Sequence, residues 1–369
     1  MAAPIKLLQL PWLVLREILG YLDILDIIML SLASPSLFAL AKSTNRQLDH
    51  IQWGFDDEDI EFGTYLELAV TNEVEEWMFK FPCPEQMEQN RVECCEGEQY
   101  SDEFSECTVQ GHTFFISQPA CGKIVVDYGQ PSKELRRQAI KLFSYHFWSL
   151  FRYEEHKLCY QSKDSIIDCF VFDHTKKFAL LEVGNNEDDG GVMTTEEIRF
   201  VLESLDYEEI DFRPRAADRS YLRPLTSKNI TMENARWIGI ESLINSVSIG
   251  IFIFDDSLVD VDLNMILRTW IDGRLPNLQS FVMKFSVRRQ MHSRSRIFRG
   301  IWSTPADETN RPSYFPEISL EKWVKNADAV DIKTNDGMLT ATVTLGKHWG
   351  TKGFRMFVWH DNYNLPEDE

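Results

Sequence analysis

The feature that most restricts the fold of this chain is an alternation in its second half. From about Ile166 onward, short runs of β-branched and aromatic residues appear: "IIDCFVFD", "FALLEV", "EEIDFRP", "VSIGIFIFDDS" and "LQSFVMKFS". Runs of this length and composition read as strands. Helical patterns lie between them. "TTEEIRFVLESL" opens with Thr194 three residues before Glu197, the spacing of a capping box, and Ile198, Val201, Leu202 and Leu205 form its apolar stripe. "ENARWIGIESLI" places Trp237, Ile240 and Ile244 on one side. In "DVDLNMILRTWIDG" the residues Leu263, Ile266, Leu267, Trp270 and Ile271 fall at i, i+3, i+4, i+7 and i+8, and Gly273 can end the helix. One strand and one helix cannot bury their apolar faces alone. Units recurring at roughly 30–40 residues stack into a parallel sheet with helices on one side, an LRR-like arrangement. An ordinary open α/β sheet is the competing arrangement. The end of the chain differs: Asn335-Asp336-Gly337 between two alternating runs signals a hairpin, and Gly353 to Trp359 supplies a further strand, so the sheet is expected to end in antiparallel strands.

The N-terminus poses a packing problem. "LQLPWLVLREILGYLDILDIIMLSLAS", Leu8 to Ser34, starts a helix behind Pro11 and runs it from about Trp12 to Leu22, with Val14, Ile18 and Leu22 on one stripe and Leu15 and Leu19 on a neighbouring one. Asp23 can cap a second helix over about Leu25 to Leu32, carrying Ile27, Ile28, Leu30 and Leu32, and a third follows Ser34-Pro35 through Phe38, Leu40 and Ala41. A module of about 40 residues with apolar groups on more than one face of each helix is too small to bury them. The surplus must be covered by the rest of the chain or by another protein.

Between these halves, Trp53 to Gly63 reads as an acidic linker, Thr64 to Lys80 as a helix carrying Leu66, Val70, Val74 and Trp77, and Pro82 to Cys107 as a Glu-rich loop or disordered insertion. Lys133 to Arg152 reads as a long helix whose Leu135, Ala139, Leu142, Phe143 and Phe147 face a core.

The search for chemistry is short. With 38 basic and 58 acidic side chains the formal charge is −20, a surface that repels phosphate backbones, so neither nucleic acid nor an anionic membrane is an expected partner. The 7 cysteines are odd in number and scattered, and no signal peptide precedes them, which suits a reducing intracellular location, cytoplasmic or nuclear. Cys94, Cys95 and Cys107 lack the paired spacing of a zinc site, and His112 does not complete one. There is no phosphate-binding glycine loop, dinucleotide fingerprint, zinc-protease motif or nucleophile elbow, so no enzyme activity, cofactor or metal is expected. Asp255 or Asp256 is expected to end a strand and Asp260 or Asp262 to cap the next helix. The one basic cluster, in "VRRQMHSRSRIFRG", contains Arg288, Arg289, Arg294 and Arg296 and could receive an acidic or phosphorylated target, or simply be a solvated loop.

Two resemblances organise these readings. Leu10-Pro11, Ile18, Leu22 and Leu30-Ser31-Leu32 with Ser34 resemble an F-box, although Leu25 stands where that family often has Pro. The stretch Phe254 to Phe285, with Leu263, Asn264, Leu267, Trp270 and Gly273, resembles the nematode F-box-associated domain (type 2). So do the final hairpin at Asp336, Gly337, Ala341 and Thr342 and the closing Phe357, Val358 and Trp359. The resemblance implies an α+β protein: a three-helix F-box over 1–48, a linker with an acidic, partly disordered insertion over 49–132, and an LRR-like α/β domain over 133–369 ending in antiparallel strands. It implies the substrate-recognition subunit of a Skp–cullin–F-box ubiquitin ligase. The Skp-family adaptor, and through it a cullin, would dock on Leu10, Pro11, Val14, Leu15, Ile18, Leu22, Leu30, Ser31 and Leu32, and an unidentified protein substrate on the C-terminal domain. A binding scaffold without a ligase and an α/β enzyme are the alternatives.

Overall fold

The computed structural model describes residues 9–55, 64–70, 75–82, 104–117, 123–184, 192–216, 221–254, 258–285, 292–306, 329–348 and 351–359. The chain divides into two compact units, Met1–Thr175 and Lys176–Glu369. The long helix at Lys133–Leu150 therefore lies in the first unit.

The first unit begins with three short helices: α1 (Trp12–Gly20), α2 (Ile24–Ala33) and α3 (Pro35–Lys42). Each start has a local cause. Pro11 precedes α1 in an extended conformation, and its carbonyl accepts from Leu15 N–H at 3.0 Å. Asp23 caps α2 by accepting from the Asp26 N–H at 2.7 Å, as its sequence position suggests. Ser34 caps α3 with Pro35 in the first turn.

Strands β1 (Gln47–Phe55), β2 (Thr64–Val70), β3 (Glu75–Phe81), β4 (Phe104–Val109), β5 (His112–Ser117) and β6 (Lys123–Asp127) follow, then helix α4 (Lys133–Leu150) and strand β7 (Arg152–Tyr160). They form a sheet in the order β7-β1-β2-β3-β6-β5-β4, with β1 parallel to β7 and β3 parallel to β6, the other neighbours antiparallel. The helix expected over Thr64 to Lys80 is thus a correction: the region is two antiparallel strands, paired Leu66 to Phe79 and Leu68 to Trp77. Leu66, Leu68, Phe79 and Phe81 alternate along them and are all buried, a period of two that outweighs the spacing of four that suggested a helix. The loop expected over Pro82 to Cys107 gives way to strand β4 from Phe104, and most of it lies outside the described residues, as do 56–63 of the expected acidic linker. Helix α4 lies against this sheet through Phe143, whose ring centroid is 5.6 Å from that of Phe81, 5.3 Å from Phe114 and 6.0 Å from both Phe79 and Phe147. The run Ile166 to Asp173, expected as a strand, is two 3-10 turns, Ile166–Asp168 and Phe170–Asp173, whose Ile166, Val171 and Phe172 are buried.

The second unit carries the expected alternation. Strands β8 (Lys177–Val183), β10 (Asp206–Phe212), β12 (Asn229–Glu233), β13 (Gly250–Phe254) and β14 (Ser280–Phe285) pair in parallel in chain order, with a two-strand ladder of β9 (Val192–Met193) and β11 (Arg215–Ala216) beside them in sequence. Helices α5 (Thr195–Ser204), α6 (Ile240–Ile244) and α7 (Asp260–Ile271) lie between successive strands. The stretch expected as one helix around Trp237 is split: a 3-10 turn at Ala235–Trp237, then α6 after Gly239. In α7 Leu263, Ile266, Leu267 and Trp270 are buried, and Gly273 follows in the left-handed region at φ 74°, closing the helix. After a short helix α8 (Arg294–Ile297), strands β15 (Thr304–Pro305), β16 (Val330–Lys333), β17 (Thr340–His348) and β18 (Thr351–Trp359) complete the sheet antiparallel, with β18 beside β14. The hairpin at Asn335-Asp336-Gly337 joins β16 to β17, and Gly337 takes φ 73° there.

Candidate functional site

The N-terminal helices sort their apolar residues into two sets. In α2, Ile24, Ile27, Ile28, Ser31 and Leu32 are buried, a stripe at i, i+3, i+4, i+7 and i+8. In α1 the buried pair is Leu15 and Leu19. Of the residues proposed for adaptor docking, Leu15, Ser31 and Leu32 are therefore inside the unit. Leu10, Ile18, Leu22 and Leu30 are half-buried, and Pro11 and Val14 are exposed.

The inner set meets α4 at Ser31. Ser31 Oγ and His146 Nε2 are 2.8 Å apart and both residues are buried. The Ser31 hydroxyl donates to the Ile28 carbonyl at 2.7 Å, so its oxygen accepts from Nε2–H of the imidazole. Phe38 of α3 packs on the same ring at 4.7 Å between centroids. Burial lowers the His146 pKa to about 4, so the ring is neutral at pH 7.

The outer set is an exposed strip on α1. Trp12, Leu13, Val14 and Tyr21 are 51%, 72%, 44% and 87% exposed. Leu13, Val14 and Tyr21 lie on the side of the helix away from Leu15 and Leu19. Trp12, Leu13 and Tyr21 were not among the expected docking residues, yet for Leu13 and Tyr21 the signal was present: apolar residues on the side of α1 opposite its buried stripe. The far end of this helix is fixed by Arg46, whose guanidinium donates through one nitrogen to the carbonyls of Leu19 (3.2 Å), Gly20 (2.9 Å) and Leu22 (3.0 Å). So the surplus apolar surface read from the sequence is covered on one side by the rest of the first unit, β4 and α4 included, and open on the other.

In the second unit, Arg288 and Arg289 lie outside the described residues, while Arg294 and Arg296 are exposed on α8. That turn is braced from α7: Asn264 donates to the carbonyls of Ile297 (2.6 Å) and Arg299 (3.2 Å), Arg268 donates to the Arg299 carbonyl at 2.7 Å, and Asp260 accepts from His292 at 2.7 Å and from the Ser293 N–H. Asp260 thus opens α7 and ties α8 to it, and Asp262 accepts from the Val259 N–H at 2.9 Å, as a cap does. Asp255 and Asp256 lie outside the described residues. Burial, seconded by Glu106, raises the Cys107 thiol to about 12, and burial does the same to Cys169, so neither is a thiolate at neutral pH. Among the described residues no cluster of three His, Cys, Asp or Glu side chains has metal-holding geometry, and no helix is long and apolar enough to cross a membrane.

Comparison with protein families matches residues 7–48 to the F-box domain. The match takes in α1, α2 and α3 and ends just inside β1. The N-terminal module of this mixed helix-and-strand protein is an F-box domain, the class that the Leu10-Pro11 and Leu30-Ser31-Leu32 spacing resembles. Comparison with curated proteins and with solved structures gives no match.

Proposed function

We propose that this chain is the substrate-recognition subunit of a Skp–cullin–F-box ubiquitin ligase. The F-box match points to a role in binding an adaptor of the Skp type, since F-box domains generally bind such adaptors. The observation that carries the reading is the exposed Leu13, Val14 and Tyr21 on the side of α1 opposite its buried Leu15 and Leu19, with the exposed Trp12 at the start of the same helix. Burying about four such side chains contributes on the order of 10 kcal/mol gross, enough to survive association costs of several kcal/mol. The half-buried Leu10, Ile18, Leu22 and Leu30 would rim that contact.

The second unit, with its parallel strands in chain order and antiparallel end, would be the target-holding part, an F-box-associated domain of LRR-like build. Arg294 and Arg296 on the braced α8 are candidate target contacts. The chain itself would carry out no covalent chemistry. It would raise the effective concentration of target lysines near a conjugating enzyme, within the cytoplasm or nucleus. Co-expression with a Skp-type adaptor tests the reading: the two should co-purify, and a folded chain that emerges alone would overturn it.

A further inference from the structure

The segment from His292 to Ala306 is fixed on both sides of an outward-facing tryptophan. Asp260, Asn264 and Arg268 fall at i, i+4 and i+8 on α7, and this row holds α8 and the turn behind it through hydrogen bonds to His292, Ile297 and Arg299. Gly300 takes φ 70° in that turn, and a Cβ there would collide with the Arg268 guanidinium. The Ile301 N–H donates to the Phe298 carbonyl at 3.0 Å. Just beyond, Thr304 pairs with Asp331 of β16, and the Ala306 N–H donates to the Ala329 carbonyl at 3.1 Å. Between these two anchorages Trp302 is 74% exposed. A side chain of that size, left in water on a backbone held from both ends, does no packing work for its own fold.

Charge says what would cover it. The same segment contains Arg294, Arg296 and Arg299 and no acidic residue, in a chain whose formal charge is −20. All three arginines are exposed. The carboxylates at the start of α7 are already engaged, Asp260 by His292 and Ser293 and Asp262 by the Val259 N–H. At physiological salt the Debye length is about 8 Å, so a ligand on this surface feels the arginines rather than the remote negative charge. Arg294 and Arg296 are two positions apart on a helical turn, a spacing that does not face one point. The cluster therefore suits several separate carboxylates better than one phosphate. On α7 the exposed Val261 and Met265 follow Asp260 and Asn264 by one position, so an apolar margin borders the row that meets α8.

We propose that the α7–α8 surface, with Trp302 as its anchor, docks an acidic protein segment that alternates carboxylate and apolar side chains. Trp302, Val261 and Met265 take the apolar side chains, and Arg294, Arg296 and Arg299 take the carboxylates. Trp and Arg are the residues that carry most of the energy in contacts of this kind. A backbone fixed beforehand lowers the ordering cost of binding. The ligase reading above supplies only the biological role, in which the acidic segment belongs to the target.

Binding of the full-length chain, without adaptor, to arrays of synthetic peptides tests the surface. The probe array alternates Asp or Glu with Leu in permuted order. Matched arrays carry Asn or Gln in place of the acids, Ser in place of Leu, or phosphoserine in place of the acids. The wild type should be retained on the acidic array, less as salt is added, and at least about ten-fold less on the neutral and Ser arrays. Trp302→Ala, and Arg296→Glu combined with Arg299→Glu, change exposed side chains and leave the backbone carbonyl of Arg299 to its partners. Both variants should keep the wild-type melting temperature and lose at least about ten-fold in retention. No retention of the wild type, equal retention on acidic and neutral arrays, or unchanged retention in either folded variant would each overturn the proposal. So would a preference for phosphoserine, or binding to phosphatidylserine vesicles with no preference among peptides. Adaptor co-purification is measured separately: a wild type that prefers acidic peptides but holds no adaptor overturns the ligase reading alone.

Discussion

Ser31 and His146 stand 115 residues apart in sequence and hydrogen-bond at 2.8 Å, both buried, so the F-box helix α2 and the long helix α4 share one polar contact inside an apolar junction. This explains how a module too small to hold itself together is stabilised: its inner stripe belongs to the core of the first unit. It also explains how its outer strip can stay available.

The first prediction concerns acid. The His146 pKa is lowered from 6.5 to about 4 by burial, so on acidification the unfolded state takes up a proton before the folded state does. The stability that this group contributes is complete above pH 6.5, declines as pH falls from 6.5 to about 4, and then levels off. The loss amounts to roughly 3 kcal/mol. His156 and His174 are lowered too, chiefly by burial, and act in the same direction. Urea unfolding between pH 7 and pH 4 should therefore show a shallower pH dependence in His146→Gln than in wild type. Identical slopes would remove His146 from the acid response.

A second pair sits deeper. Trp53 is fully buried and its indole N–H donates to Ser144 Oγ at 3.0 Å, while Ser144 donates to the Ile140 carbonyl at 2.7 Å. Trp53→Phe keeps most of the ring and strands only the serine oxygen, whereas Ser144→Ala strands the indole N–H. Ser144→Ala should cost about 1–3 kcal/mol and Trp53→Ala about 3–5 kcal/mol. Chemical denaturation of the two variants gives the ratio.

Arg46 anchors the end of α1. Removing its guanidinium in Arg46→Ala frees three carbonyls at the end of α1, at a cost of about 1–2 kcal/mol. Hydrogen exchange should quicken in α1 first and leave α4 unchanged. Lysine at this position has a single ammonium in place of the planar fork and should restore protection only in part.

The capping box of α5 is a local device. Thr194 Oγ1 accepts from the Glu197 N–H at 3.2 Å, and the Glu197 carboxylate accepts from the Thr194 N–H at 2.9 Å. Thr194→Ala should cost about 1 kcal/mol and leave the N-terminal module untouched. A loss several times larger would show that α5 sets the stability of the second unit as a whole.

What could be read in advance was local. The α7 stripe, the Thr194 box, the Asp23 cap and the Asn335-Asp336-Gly337 turn each depend on residues a few positions apart, and each was recognisable from spacing. The pairs β1 with β7 and β3 with β6 were not, because a parallel partner such as Arg152 for Gln47 or Lys123 for Met78, far along the chain, leaves no mark in either strand. The helix expected over Thr64 to Lys80 failed because Leu66, Val70, Val74 and Trp77 fit a helical spacing while Leu66, Leu68, Phe79 and Phe81 fit a strand. Pairing with β1 decided between them. On the N-terminal helices, spacing identified the helices but could not tell which residues turn inward: Leu15, Ser31 and Leu32 are buried, and Leu13, missed in the sequence, is exposed.

The central claim, that the open side of α1 holds an adaptor, is tested most directly by titrating a purified Skp-type adaptor into the full-length chain by calorimetry. The wild type should bind with one site per chain. Leu13→Glu combined with Val14→Glu, which places charge on exposed positions and leaves the buried Leu15 and Leu19 in place, should keep its circular dichroism spectrum and lose the binding. Unchanged affinity in that folded double variant, or no heat of binding in the folded wild type, would contradict the account.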